Sequence, residues 1–275
     1  MPVYSDAPIC PGSLQVFGMQ VHPFEPEAML QLIERTVSAR QKAVIANLNL
    51  HALCLGLKHA WFRDFINRAQ YVYSDGESVR WAARILEQPI PVKVGFTRWI
   101  WDLAGFCAAK QYRFFLLGGK QGVAEEAAAK FTARYPALIV AGTQHGYFKH
   151  TGVENTHVIE KINAARPDVV VVAFGMPYQE QWIAENWPFM QRGVYLPGGG
   201  VLDYAAGRVP AAPAWMIRLH LEWLFRVWKD PGRLAERYAK EAPVFFKTLA
   251  CEKWRQIFTL PQPRTKPPES SSGKS

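Results

Sequence analysis

The alternation of short β-rich runs with helical segments constrains the fold of this chain more than any other feature of its sequence. The run "DVVVVAFG" at 168–175 has apolar residues at successive positions, which is typical of a strand covered on both faces. Segments such as "QGVAEEAAAKFTARY" at 121–135 have helical spacing instead and suit the crossovers that parallel strands need. The pattern predicts an α/β fold, a Rossmann-like sheet with helices on both faces, with strands at "AVIAN" (43), "YVYS" (71), "YRFFLLGG" (112), "LIVAGT" (138), "DVVVVAFG" (168) and "GVYLPGGG" (193).

Composition excludes several classes of protein. A hydrophobic content of 49% in 275 residues is that of a globular chain rather than a disordered one. The cysteines have neither metal-binding spacing nor the pattern of a disulfide framework, and the N-terminus lacks a signal sequence, so we expect a cytoplasmic protein. The most apolar run is far shorter than the roughly 18 residues of a membrane span. The cysteines are Cys10, Cys54, Cys107 and Cys251.

The last quarter of the chain carries most of its positive charge. From Arg208 to Ser275 there are 13 Lys and Arg against 6 Asp and Glu, a net of +7 out of +9 for the whole chain. Strand signals stop after Pro213, and the last residues have the composition of a disordered tail. We therefore predict an α/β catalytic core at 1–209, a basic, aromatic-rich helical appendage at 210–258 and a disordered tail at 259–275.

The segment "WMIRLHLEWLFRVWK" at 215–229 predicts a polar stripe on a helix that is otherwise apolar. A solvated stripe on a core helix is one interpretation. Tryptophans beside cations also suit an anionic bilayer surface, which is the second interpretation. The stripe consists of Arg218, Glu222, Arg226 and Lys229.

In open α/β sheets ligands bind beyond the carboxyl ends of the strands, so the residues that follow each strand are candidates for chemistry. Asn47 and Asn49 follow the first predicted strand, and Asp75 with Gly76 follows the second. Taken alone, an Asp-Gly pair between apolar runs is most often a turn or a helix cap.

The stretch "LLGGKQGVAEEA" at 116–127 runs from a strand through glycines into a helix, as phosphate-binding loops do. Gly118 and Gly119 lie at its turn. The next strand ends without the acidic residue that binds a nicotinamide ribose, which disfavours a dinucleotide cofactor. Phosphate binding there remains open.

Other catalytic signatures are absent from the sequence. There is no G-x-S-x-G, no H-E-x-x-H and no Asp-x-Asp, and His51 and His145 are better explained as structural residues than as metal ligands. A sugar transferase without Asp-x-Asp would stabilise its leaving diphosphate with helix N-termini and arginine. Three classes stay open: such a transferase, a nicotinamide-dependent oxidoreductase, and a non-catalytic module that binds lipid or nucleic acid.

Several stretches together resemble the WecB/TagA/CpsF glycosyltransferases, also called glycosyltransferase family 26. The similarity covers roughly residues 15–240, with the pieces in the order that the family has them. The pieces are "NLNLHAL", "YVYSDGESVRWAARIL", "FFLLGGKQGVAEEAA", "GTQHGYF", "VVVAFGMPYQEQWI", "GGGVLDYAAGRVPAAPAWM" and "LHLEWLFRVWKDPGRLAERY".

The resemblance implies an inverting enzyme that moves a sugar from a UDP donor to a lipid-linked saccharide. It implies action at the cytoplasmic face of the membrane, as a peripheral protein in polysaccharide or wall-polymer assembly, without a metal or other cofactor and without nucleic acid. An anionic membrane surface is then a partner. The sugar, the acceptor saccharide and a homo-oligomeric state stay open.

The resemblance also assigns roles to residues. Asp75 takes the place of the family's general base, and Asn47 and Asn49 orient the sugar or the donor phosphate. Gln179 binds polar groups of the substrate, while Glu180 only stabilises the first turn of its helix. The remaining assignments are Gly118, Gly119 and Tyr147 to the nucleotide pocket, and Arg218 and Arg226 to the diphosphates, brought in by a mobile C-terminal appendage.

The chain departs from the usual family pattern at two positions. Asn47 stands where many members have threonine, and Thr97 stands where many have an acidic residue. Both departures bear on which sugars are bound rather than on the type of reaction.

Overall fold

The computed structural model describes residues 12–219 and 221–258 of the chain. It opens with a short antiparallel hairpin, β1 (Leu14–Val16) and β2 (Met19–Val21), which sequence analysis missed. The turn residues Phe17 and Gly18 both have positive φ, 53° and 72°, as a tight two-residue hairpin turn requires. Strands of three residues carry too little periodicity to be recognised from sequence.

The central sheet confirms the predicted fold class. Its six strands are all parallel and lie in the order β4-β3-β8-β7-β5-β6. They match the six predicted runs: β3 (Lys42–Leu48), β4 (Tyr71–Ser74), β5 (Arg113–Gly118), β6 (Ile139–Gln144), β7 (Val169–Ala173) and β8 (Gly193–Pro197).

Helices cover both faces of this sheet, as the continuous apolar runs predict. Val169 and Val171 of β7 pack into one core cluster, and Val170 and Val172 pack into the other. The helices that precede the C-terminal segment are α1 (Pro26–Ser38), α2 (Leu50–Lys58), α3 (Ala60–Arg68), α4 (Glu77–Ile85), α5 (Phe96–Lys110), α6 (Val123–Arg134), α7 (Gly152–Ala165), α8 (Tyr178–Asn186), followed by a 3-10 turn (Trp187–Phe189), and α9 (Val201–Ala205).

The strand order opens a crevice at the carboxyl ends of β3 and β8. These strands are neighbours, but the chain leaves β3 into α2 on one face of the sheet and leaves β8 into α9 on the other. The two loops therefore diverge, which is the arrangement that creates ligand sites in open α/β sheets.

The C-terminal segment forms α10 (Ala214–Arg218), α11 (Glu222–Lys229) and α12 (Pro231–Phe258). The expected single helix over 215–229 is wrong, because the chain leaves the helix at Leu219 and Leu221 donates its N–H to the Met216 carbonyl at 2.8 Å. Leu219 is 61% exposed, so no core contact keeps the helix continuous across this point. The four residues of the expected stripe are thus divided between α10 and α11.

Helix α12 packs directly on the α/β core. Phe245 is buried, and the centroid of its ring lies 5.6 Å from that of Phe17. Leu249 is buried in the same cluster. The boundary at 209/210 stays a prediction, and the expected tail at 259–275 lies outside the described residues. Within the described part of the chain, no helix is both long and apolar enough to cross a membrane.

Candidate active site

A cavity of about 550 Å³ opens in the crevice between the ends of β3 and β8 and extends to the carboxyl end of β4, and Asp75 lines it. The Asp75 N–H donates to the Leu48 carbonyl at 2.9 Å, which extends the pairing of the two strands by one residue. Its Oδ1 accepts from the Phe96 N–H at 3.2 Å, so one oxygen caps the start of α5. Oδ2 has no hydrogen-bond partner among the described residues, and it is the oxygen left to receive a proton from a ligand.

Burial raises the pKa of Asp75 to about 6. The Arg226 guanidinium lowers this pKa and Glu222 raises it, both by less than burial does. A carboxylate whose pKa lies just below neutrality is ionised at pH 7 and still basic enough to accept a proton. The helix that directly follows Asp75, α4, has no side-chain cap, so Asp75 does not have the local capping role that an Asp-Gly pair suggests; it bonds the start of α5 instead and has the properties of a general base.

A chain of charges lies beside Asp75, and sequence analysis missed two of its members, Lys93 and Glu77. Arg226 Nη2 donates to Glu222 Oε1 at 2.6 Å, and Lys93 Nζ lies 3.7 Å from Glu222 Oε2. Lys93 Nζ also lies 3.6 Å from Glu77 Oε1, at the start of α4. Lys93 therefore links the core to α11. Its partners are separated by more than a hundred residues in the sequence, so no local pattern reveals them.

The two predicted arginines lie in different places. Arg226 lines the cavity, with its guanidinium 5.5 Å from the centroid of the Tyr204 ring. Arg218 is exposed at the end of α10 and is not among the residues that line the cavity. Its predicted contact with a diphosphate stays a prediction, which this arrangement does not favour.

Arg237 of α12 was not singled out from the sequence, although the structure places it in the cavity wall. Its guanidinium lies 5.5 Å from the centroid of the Tyr238 ring, and no carboxylate of the described chain pairs with it. Its Nε is buried without a hydrogen-bond partner among the described residues. A half-buried cation of this kind favours an anionic ligand.

Asn47 and Asn49 each form a hydrogen bond that fixes the end of a strand or the start of a helix beside Asp75. Asn47 is buried, and its Nδ2 donates to the Pro197 carbonyl at 2.9 Å, which joins the ends of β3 and β8. Asn49 Oδ1 caps α2 by accepting from the Ala52 N–H at 3.0 Å. Both residues line the cavity, and their predicted contacts with sugar or phosphate stay predictions.

His51 also lines the cavity and is hydrogen-bonded through Nδ1 to Glu241 Oε1 on α12. This contact ties α12 to the start of α2, and Cys54 Sγ adds a bond to the Glu241 carbonyl at 3.7 Å. The described residues include no group of His, Cys, Asp and Glu that could hold a metal ion.

A second cavity, of about 950 Å³, adjoins the first at the ends of β5, β6 and β7. Gly119 and Tyr147, both predicted for the nucleotide pocket, line it. Gly118 is the last residue of β5 and directly precedes Gly119. Its φ of +141° is unfavourable for a side chain, and a Cβ at this position would lie only 2.3 Å from the Ala173 carbonyl oxygen, so only glycine fits. The two cavities meet at shared wall residues: Gly175, Gly199, Gly200 and Tyr204.

Gln179 lies beneath these shared glycines with 0% of its surface exposed. Its Oε1 accepts from the N–H groups of Gly175 at 3.2 Å and Gly199 at 2.8 Å, and its Nε2 donates to Glu180 Oε1 at 2.7 Å. In this structure Gln179 therefore holds the loops that line the cavities. Its predicted contact with substrate stays a prediction, and making that contact would require these bonds to break.

A sequence model of the glycosyl transferase WecG/TagA/CpsF family matches residues 14–258. The chain belongs to this family. Among curated relatives, a Bacillus subtilis (strain 168) protein named N-acetylglucosaminyldiphosphoundecaprenol N-acetyl-beta-D-mannosaminyltransferase is 31% identical over 191 residues, covering 70% of this chain and 73% of that protein. A Staphylococcus aureus (strain NCTC 8325 / PS 47) protein with the same name is 29% identical over 238 residues, covering 84% and 90%.

Membership of the family confirms the transferase reading of the sequence. It decides against the nicotinamide-dependent oxidoreductase and the non-catalytic binding module. The matched region includes α10, α11 and α12 as well as the sheet, so the family model extends over the C-terminal helices.

Proposed function

We propose that this chain transfers an N-acetylhexosamine, N-acetylmannosamine before others, from a UDP donor to a saccharide carried on a polyprenyl diphosphate. The names of the relatives support the sugar and the acceptor. The observation that carries the proposal is the position of Asp75, whose free carboxylate oxygen lines one cavity directly beside a second cavity. Two adjoining cavities suit a reaction between two substrates.

In the proposed reaction the acceptor hydroxyl attacks the anomeric carbon of the donor sugar. Asp75 Oδ2 takes the proton of that hydroxyl as the new C–O bond forms. The bond from the anomeric carbon to the β-phosphate oxygen breaks, and UDP leaves with the electron pair. Attack from the face opposite UDP inverts the configuration at the anomeric carbon, so an α-linked donor gives a β-linked product.

The nucleotide fits the larger cavity, at the glycine loop after β5. Gly119 and Lys120 lie in its wall, as do Tyr147 and Tyr178. A glycine loop between a strand and a helix suits phosphate, and the tyrosines offer surfaces on which a base or ribose can pack. Cations in the wall of the smaller cavity, Arg226 and Arg237, are available to neutralise the charge that develops on the leaving diphosphate.

The acceptor fits the smaller cavity, because one of its walls is aromatic and reaches the surface. Trp81 is 54% exposed and Phe246 is 60% exposed, although both line the cavity. Exposed aromatic side chains beside cations suit a substrate whose lipid remains in an anionic membrane. We propose that the protein works as a peripheral protein on the cytoplasmic face of that membrane.

The test is a transfer assay with purified protein, a panel of UDP-sugars and N-acetylglucosaminyl diphosphoundecaprenol as the acceptor. We expect UDP release that depends on the acceptor, highest with UDP-N-acetylmannosamine, and a β-linked disaccharide product. Failure to bind UDP, together with no product from any UDP-sugar of the panel, would contradict the proposal.

A further inference from the structure

Gln179 connects two loops that are far apart in the sequence. One carbonyl oxygen, Oε1, accepts from Gly175 in the loop after β7 and from Gly199 in the loop after β8. Both glycines have positive φ, 83° and 60°, and both line the two cavities. The two loops are therefore joined by a single amide group beyond the point where the pairing of β7 and β8 ends, at the bond from the Gly198 N–H to the Val172 carbonyl.

That amide works in only one orientation. A flip would turn Nε2 toward two N–H donors, which would leave three donors together with no acceptor. Glu180 reinforces this orientation, because its Oε1 accepts from Gln179 Nε2 at 2.7 Å. Glu180 is 1% exposed, and its Oε2 has no hydrogen-bond partner in the described part of the chain.

We propose that Glu180 is a positioning residue of the active site, which fixes the amide of Gln179 and so holds the loops after β7 and β8 at their separation. The proposal depends on the proposed function only for the identity of the ligands that the two cavities bind. A residue that served only to start helix α8 would not need full burial or a bond to the neighbouring side chain. Burial also raises the pKa of Glu180 to about 7, which agrees with a carboxyl that acts as an acceptor rather than as a partner of a cation.

The sharpest test exchanges the two side chains. In the double variant Gln179→Glu/Glu180→Gln, the new carboxylate accepts from both glycines and from the new amide, so every bond is retained. In Glu180→Ala the Nε2 of Gln179 loses its acceptor, so only the two glycine N–H groups still hold the amide in place. The control is Glu185→Ala on the same helix, because Glu185 accepts from Gln181 Nε2 at 2.8 Å in an exposed pair.

The main measurement is hydrogen exchange at the amides of Gly175 and Gly199, with melting temperature as a check of folding. We expect Glu180→Ala to speed exchange at both amides at least about tenfold, the loss of roughly one hydrogen bond. kcat/KM for donor and acceptor should fall together by a similar factor. The double variant should restore exchange and kcat/KM to within about threefold of wild type, and Glu185→Ala should change neither.

Unchanged exchange in a folded Glu180→Ala protein would overturn the proposal, as would fast exchange in a folded double variant. Should Glu180→Ala fail to fold, the double variant alone decides between these results. A wild-type protein without transfer activity would contradict the proposed function, and the exchange rates would still decide the role of Glu180.

Discussion

Arg226 of α11 and Asp75 of the loop between β4 and α4 line the same cavity, and the guanidinium lowers the pKa that burial raises. Arg226 is itself held by Glu222 within its own helix. The candidate base thus belongs to the α/β core, while the positive charge that lowers its pKa belongs to the C-terminal helices.

Removing Arg226 should shift the pH profile of the reaction. Transfer needs the ionised carboxylate, so kcat/KM should rise with pH through the pKa of Asp75, about 6 in the wild type. In Arg226→Gln the opposing cation is lost, so that pKa increases and the acidic limb moves to higher pH. Arg218→Gln, an exposed arginine of α10, is the control and should leave the limb in place. A limb that stays put or moves to lower pH in Arg226→Gln would refute this relationship.

Exposed tryptophans of the C-terminal helices should contribute to membrane binding. Trp228 is 71% exposed with Lys229 Nζ 4.6 Å from the centroid of its ring, and Trp254 is 65% exposed. Replacing both with serine should weaken binding to anionic liposomes about tenfold, the effect of losing roughly 1.4 kcal/mol of apolar contact. The control is Phe189→Ser, which removes a 65% exposed aromatic side chain from the surface of the α/β part of the protein and should not change binding. Wild-type binding by the double variant would argue against docking through these helices.

Transfer should persist in excess chelator. The sequence has no Asp-x-Asp, and cations of the protein are the proposed partners of the leaving diphosphate. The measurement is the initial rate with and without chelator, followed by addition of magnesium or manganese. A rate abolished by chelator and restored by either metal would show that the diphosphate is stabilised differently.

Glu180 should make the protein less stable as pH rises. Its pKa is about 7 in the folded protein against 4.5 for an ordinary glutamate, so between these values the folded state binds more protons than the unfolded state. The free energy of unfolding should therefore fall across this window by up to about 3 kcal/mol because of this group. Glu180→Gln should remove that part of the slope, which denaturant titrations at pH 4.5 and 7.5 would measure. Equal slopes in wild type and variant would contradict the raised pKa.

The sequence predicted the sheet well because its strands are buried on both faces and have a strong local signal. The four valines of 169–172 need no tertiary information to be recognised. The hairpin formed by β1 and β2 was missed because each strand has only three residues. The break between α10 and α11 was missed because the helical spacing of apolar residues continues through Leu219. Leu219 is in fact 61% exposed, and the spacing does not show this.

The candidate site was predictable only where it follows strand ends. Asp75, Asn47 and Asn49 were found from that position, and the structure places all three at one cavity. Lys93 and Arg237 were not found, because their importance arises from neighbours brought together by folding. The internal bonds of Gln179 were missed for the same reason, since its two glycine partners lie on different loops.

The central claim is that Asp75 is the general base, and the most direct measurement is the turnover of Asp75→Asn. Asparagine retains an oxygen for the Phe96 N–H, so the cap of α5 is kept and only the basic oxygen is lost. We expect kcat to fall at least about 100-fold, with the affinity for UDP and the melting temperature little changed. Turnover close to that of the wild type, in a folded variant, would contradict the account and leave Asp75 as a helix cap.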